Sequence, residues 1–86
     1  MLEERIKDAI KSNKAIIGFK EGIKFIKLHK PKLVIIANNI PEGMKREIEY
    51  NSKLSGVKVE VFPGSSKQLG ILCGKPFPIS TIVIRE

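Results

Sequence analysis

Leu33-Val34-Ile35-Ile36-Ala37, followed by Asn38-Asn39, is the stretch whose reading decides the fold. Five apolar residues in a row, rich in β-branched types and closed by two asparagines, describe a strand covered on both faces. A strand of that kind needs helices above and below it, and the flanking sequence supplies them. Upstream, Lys20 to Lys30 has helical spacing and is closed by Pro31, which disfavours helix at the residue before it. Downstream, Asn39 with Glu42 has the spacing of a capping box and Pro41 suits a first helical turn, predicting a helix from Ile40 to Leu54 that stops before Gly56.

Farther out, the same alternation continues. Leu2, Ile6, Ala9 and Ile10 recur at helical spacing, so a first helix ends near Ser12–Asn13. Ala15-Ile16-Ile17 is a short buried strand stopped by Gly18. Val57, Val59 and Val61 alternate with Lys58 and Glu60, a period of two and therefore a strand. Ser65 with Gln68 forms a second capping box, opening a helix that stops at Gly74, and Ile79 to Ile84 closes the chain as a strand. The order α-β-α-β-α-β-α-β predicts an α/β fold, with helices on both faces of a four-stranded sheet.

Eighty-six residues are enough for one domain, spanning 1–86, with no linker, repeat or low-complexity segment. A domain of this size buries only about 60% of the surface its unfolded chain exposes, so modest stability is expected. Cys73 has no cysteine partner and His29 cannot build a metal cluster with it, so neither a disulfide nor a metal or other cofactor is expected. No apolar run approaches the roughly 20 residues of a membrane helix, and the N-terminal residues do not read as a signal peptide. A cytoplasmic protein without a membrane partner follows. Fourteen Ile and thirteen Lys against one Gln and no Trp lean toward a heat-adapted source.

The net charge is +7, and it is uneven: residues 14–32 hold six lysines and one acid, the remainder ten bases and eight acids. On a helix, Lys20, Lys24 and Lys27 fall within about 60° of one another, opposite Gly22, Ile23, Phe25 and Ile26. A lysine stripe beside a helix N-terminus that follows Gly18 suits phosphate, although such stripes are also ordinary solvated faces. Lysine charge binds phosphate without selecting sequence; selection needs groups that meet bases. Phe77, between Pro76 and Pro78 after Gly74-Lys75, is open to two readings: a rigid exposed stacking surface, or a core side chain.

Other constellations are weaker. Cys73 at a helix C-terminus reads as a buried structural thiol rather than a nucleophile served by His29, which lies in the apolar arc of its helix or near the helix end. Pro63-Gly64-Ser65-Ser66 reads as a helix cap before it reads as an anion site. Glu42, Glu47 and Glu49 are helix-surface acids, with no pair arranged for acid–base work.

Gly18-Phe-Lys-Glu-Gly-Ile-Lys24, Leu33-Val-Ile-Ile-Ala-Asn-Asn39 before Pro41, and Leu69-Gly-Ile-Leu-Cys-Gly-Lys-Pro-Phe77 resemble the large-subunit ribosomal protein L30e family of archaea and eukaryotes. Ile48-Glu-Tyr-Asn-Ser-Lys-Leu-Ser-Gly-Val57 and Phe62-Pro-Gly-Ser-Ser66 fit the same pattern, so the likeness runs from about Ile6 to Ile84. The resemblance implies a three-layer α/β/α sandwich whose mixed sheet has an antiparallel last strand. It also implies a non-enzymatic protein of the cytoplasmic ribosome, monomeric when free, that binds a kink-turn in ribosomal RNA and touches neighbouring ribosomal proteins.

Carried over by position, Gly18 admits close approach of the RNA, Lys20 and Glu21 address the tandem G·A pairs, and Lys24 meets backbone phosphate. Lys27 extends that basic stripe. Asn39 supports the loop or reaches a base, and Lys75, Pro76 and Phe77 place an aromatic against an extruded nucleotide. Two departures stand out: Lys20 precedes Glu21 where the wider superfamily often has Asn, and Glu86 is the last residue where many members carry a tail. The alternatives are a free-standing kink-turn protein of a guide or regulatory RNP and, from another class, a small α/β enzyme or ligand-binding domain.

Overall fold

The computed structural model describes residues 2–86. Its elements are α1 (Leu2–Lys11), β1 (Ala15–Ile17), α2 (Phe19–Leu28), β2 (Leu33–Ala37), α3 (Glu42–Ser55), β3 (Val59–Phe62), α4 (Ser66–Leu72) and β4 (Thr81–Ile84). The sheet order is β1-β4-β2-β3. β2 and β3 run parallel, and β4 lies antiparallel to both β1 and β2. This is the mixed four-stranded sheet, with its reversed last strand, that the resemblance implied.

Period-two alternation divides the buried side chains between two faces. Leu33, Ile35, Ala37, Ile82 and Ile84 point to one side, where Ile6 and Ala9 of α1 and Leu69 of α4 cover them. Val34, Ile36 and Val83 point to the other, under Ile23 and Ile26 of α2 and Ile48 of α3. Every residue of β2 and of β4 is buried, as the unbroken apolar run required. Gly22 sets the depth of α2: a Cβ there would lie 3.0 Å from Val83 Cγ2 and 3.4 Å from Thr81 Cγ2, so glycine lets the helix approach β4 closely.

Element boundaries differ from the sequence reading in places, each with a local cause. The Asn39–Glu42 capping box does not form. Pro41, at φ −56° and ψ 142°, is the N-cap of α3 and no side chain caps it. Pro41 also keeps Ile40 out of helical geometry, so the helix begins at Glu42 and the Asn39 side chain bonds elsewhere in the fold. α2 ends at Leu28 because His29 is already extended, at φ −138° and ψ 163°, carrying the chain toward buried Pro31.

His29 is exposed rather than held in the apolar arc, and its ring packs on Phe25 with centroids 4.9 Å apart. Val57 is not in a strand: its N–H closes the C-terminus of α3 on the Ser52 carbonyl at 2.9 Å, beside left-handed Gly56. β3 therefore starts at Val59 and runs to Phe62. α4 stops at Leu72, and β4 starts at Thr81: the Ser80 carbonyl still accepts from Ala37 of β2, but the Ile79 N–H turns away to the Ser66 carbonyl.

Burial sets a direct expectation. Ile82 is 0% exposed on a central strand and Val61 is 51% exposed on the edge strand. Ile82→Ala should cost about 2–5 kcal/mol in denaturant unfolding, whereas Val61→Ala should stay within about 0.5 kcal/mol of wild type. Equal losses at the two positions would contradict this division of the core.

Candidate RNA interface

β1, β2 and β3 all finish at one end of the sheet, and β4, running the other way, begins there. The segment after each parallel-running strand leads into a helix, so the N-termini of α2, α3 and α4 gather at that end. In open α/β sheets this is where ligands are taken up. Helix N-termini present free N–H groups and about half a positive charge each, an arrangement suited to anions.

Hydrogen bonds tie these segments to one another. The Gly18 N–H donates to the Thr81 carbonyl at 3.0 Å, and the Ala37 N–H to Ser80 at 2.9 Å. The Asn38 N–H donates to Gly64 at 2.9 Å and the Ile79 N–H to Ser66 at 2.9 Å. Asn39 Oδ1 accepts from the Ser66 N–H at 2.9 Å. Four chain segments distant in sequence are thereby held in one rim.

The three helix N-termini are not equivalent. α4 is closed on itself: Ser65 Oγ accepts from the Gln68 N–H, Gln68 Oε1 accepts from the Ser65 N–H, and Asn39 takes the Ser66 N–H. The Ser65–Gln68 capping box of the sequence reading is thus present, and the Ser65 hydroxyl is spent on it. α2 has no side-chain cap. Its N-cap is Gly18 at φ 110° and ψ 153°, a conformation essentially confined to glycine, with open space where a Cβ would stand. The first turn of α2 is therefore open to an anion, with Lys20, Glu21 and Lys24 exposed around it.

Gly18, Lys20, Glu21, Lys24 and Asn39 lie at this end, and Lys75, Pro76 and Phe77 lie on the loop that enters β4 from it. Lys27 is set apart, in the last turn of α2 and about 10 Å along the axis from Lys20 at 1.5 Å per residue. Phe77 is 50% exposed, which answers the question left open by the sequence: its ring is not part of either core cluster. It lines an open groove of about 540 Å³ together with Ser66, Lys67, Ile71, Lys75 and the flanking prolines. Lys67 and Ile71 are α4 residues that the sequence reading passed over.

Gly70 is the other omission. A Cβ there would run into the Phe77 carbonyl oxygen and crowd Pro78, so the aromatic loop lies directly on α4 at the one position without a side chain. A glycine inside a seven-residue helix, between Leu69 and Ile71, was the available signal of a close backbone approach. Cys73, buried at the end of that helix, has its thiol pKa pushed up by burial, against the opposing charge of Lys75. It stays protonated and apolar in character. Among the described residues no group of three or more His, Cys, Asp or Glu is placed to hold a metal ion.

Residues 1–86 match the profile of the ribosomal protein L7Ae/L30e/S12e/Gadd45 family. The chain belongs to that family. It is 41% identical over 85 residues to the large ribosomal subunit protein eL30 of Methanothermobacter thermautotrophicus, covering 99% of this chain and 87% of that one. Identity is 46% over 82 residues with the eL30 of Saccharolobus solfataricus, covering 95% and 76% of the two chains. A solved structure of a Giardia lamblia 15.5kD RNA binding protein superposes with a TM-score of 0.81 at 23% identity, over 99% of this chain and 71% of that one, a likeness of fold.

Two glycines separate strain from collision. Gly18→Ala places a side chain in open space but in a forbidden backbone region, and should cost about 1–3 kcal/mol of stability. Gly70→Ala should instead displace the neighbouring loop, seen as amide shifts across residues 74–79 in an NMR spectrum. Unmoved loop amides in Gly70→Ala would show that the loop does not depend on that contact.

Proposed function

We propose that this protein is a non-enzymatic component of the large ribosomal subunit that binds ribosomal RNA, and that its target is a kink-turn. The carrying observation is the hydrogen-bonded rim, which unites an uncapped, glycine-led helix N-terminus with a proline-stiffened aromatic loop. The eL30 names of its relatives and its membership of a ribosomal protein family support the ribosomal setting, and with it a cytoplasmic location.

The roles follow from chemistry. Backbone N–H groups of the first turn of α2, together with Lys24, meet phosphate where two strands converge at the bend. Glu21, whose carboxylate accepts hydrogen bonds and donates none, takes N–H groups of the guanines in the tandem G·A pairs, and Lys20 faces the adjoining base edges. Gly18 keeps this approach free of a side chain. Phe77 offers its exposed face to a nucleotide unstacked by the kink, with Lys75 beside it for the phosphate and Pro76 limiting the loop's freedom. Asn39 acts from behind, fixing α4 and the aromatic loop relative to β2. Lys27 adds to the field around the RNA rather than to the contact at the bend. One monomer per kink-turn satisfies all of these contacts.

Substitutions test the roles separately. Lys24→Ala should weaken all RNA binding and lower the salt slope by about one unit; an unchanged slope removes it from the phosphate contacts. Glu21→Gln should weaken a kink-turn RNA far more than the same RNA with its G·A pairs replaced, and equal losses would contradict base reading. Phe77→Ala should cost about 1–3 kcal/mol of binding with little change in folding, since the ring is half exposed.

A further inference from the structure

A second basic cluster occupies the opposite end of the sheet. Lys14 leads into β1, Lys32 leads into β2, and Arg85 follows β4. These backbones are neighbours: the Arg85 N–H donates to the Lys14 carbonyl at 2.9 Å, and the Lys32 N–H donates to Ile84 at 2.8 Å. Adjacent strands are about 4.8 Å apart, so three basic side chains spring from a line of about 10 Å. Arg5 of α1 joins them around an open cavity of about 250 Å³, which Asp8, Ser12 and Glu86 also line. The Arg85 guanidinium is held in place by the Asn13 carbonyl at 3.0 Å.

Among the described residues none of these bases is held in an ion pair. The ion pairs among the described residues, Arg46–Glu42 and Lys58–Glu60, lie elsewhere. The C-termini of α1, α2 and α3 do face this end, each with about half a negative charge. With Lys11 and Lys30 at the same end, however, six bases outnumber the two acids and those three half-charges together. The cluster also differs in kind from the first interface. No aromatic side chain lines it, so it has nothing on which to stack a base. Spaced cations without base-directed groups fit a phosphate backbone read by charge and spacing alone.

We propose that this cluster is a second, sequence-independent RNA contact that takes the phosphate backbone of a duplex segment. The principal extents of the molecule are 30 × 28 × 21 Å, so RNA held at one end of the sheet leaves the other free for a second segment. The protein then acts as a strut between two pieces of RNA, reading one and gripping the other. The strut role rests on the first end binding RNA, as proposed above, but not on that RNA being a kink-turn.

The test uses the full chain, 15N-labelled, and a 12-base-pair RNA duplex of mixed sequence that contains no kink-turn. The duplex should shift the amides of Lys14, Lys32 and Arg85. The Lys14→Gln/Lys32→Gln variant keeps the bond between Arg85 and Asn13. In it, duplex affinity should fall about fivefold to tenfold at low salt, and the salt slope should drop by about two units. Affinity of the same variant for a minimal kink-turn RNA should change less than twofold.

Several results would overturn the proposal. One is duplex shifts confined to residues 18–24 and 75–77. Another is unchanged duplex binding in a variant whose melting temperature falls, which would mean that the lysines only offset the helix C-termini. Equal shifts from inorganic pyrophosphate at matched phosphate concentration would make the cluster a small-anion site. Stronger shifts from a polyglutamate peptide would assign it to an acidic protein.

Discussion

The insertion of β4 between β1 and β2 is the constraint on which the rest of the structure depends. Ile82 and Val83 are fully buried on opposite faces of the sheet, so this four-residue strand anchors both core clusters at once. Its direction matters as much as its burial. Because β4 runs against its neighbours, the loop that feeds it arrives at the end where β1, β2 and β3 leave. A parallel β4 would deliver Lys75, Pro76 and Phe77 to the far end, away from Gly18 and the start of α2. Topology alone thus converts two short segments, separated by about fifty residues of chain, into one surface.

Local chemistry then decides which parts of that surface remain available. The α4 N-terminus is consumed by its own capping box and by Asn39, so it serves as structure. The α2 N-terminus is left open by a glycine whose backbone conformation no other residue adopts cheaply. Gly70 lets the aromatic loop settle against α4, and Gly22 lets α2 settle against β4. Rigid elements with short loops give a pre-formed site, which lowers the ordering cost of binding. The same topology sends three helix C-termini to the other end, where the excess of basic residues is conspicuous against the negative dipole ends.

Much of this was legible in the sequence because hydrophobic period and glycine placement are local signals. The run from Leu33 to Ala37 marked a strand buried on both faces, and the Ser65–Gln68 spacing marked a cap; both are present. Local signals also misled where they competed. Asn39 with Glu42 has capping-box spacing, yet Pro41 takes the N-cap and Asn39 bonds across the fold to Ser66. Val57 continues the alternation of β3, yet its N–H is spent closing α3. The antiparallel direction of β4 came from family resemblance, since period cannot report direction. The exposure of Phe77 and the roles of Gly70, Lys67 and Ile71 required tertiary contacts, which a single sequence does not display.

The central claim is that one end of this sheet recognises a structured bend in RNA rather than phosphate charge in general. Titration of the wild-type protein into a kink-turn RNA, and into the same RNA with its tandem G·A pairs replaced, at two salt concentrations, addresses it most directly. The account predicts a strong preference for the intact motif that persists at the higher salt. Equal and steeply salt-sensitive binding to both RNAs would contradict it and reduce the site to a phosphate patch.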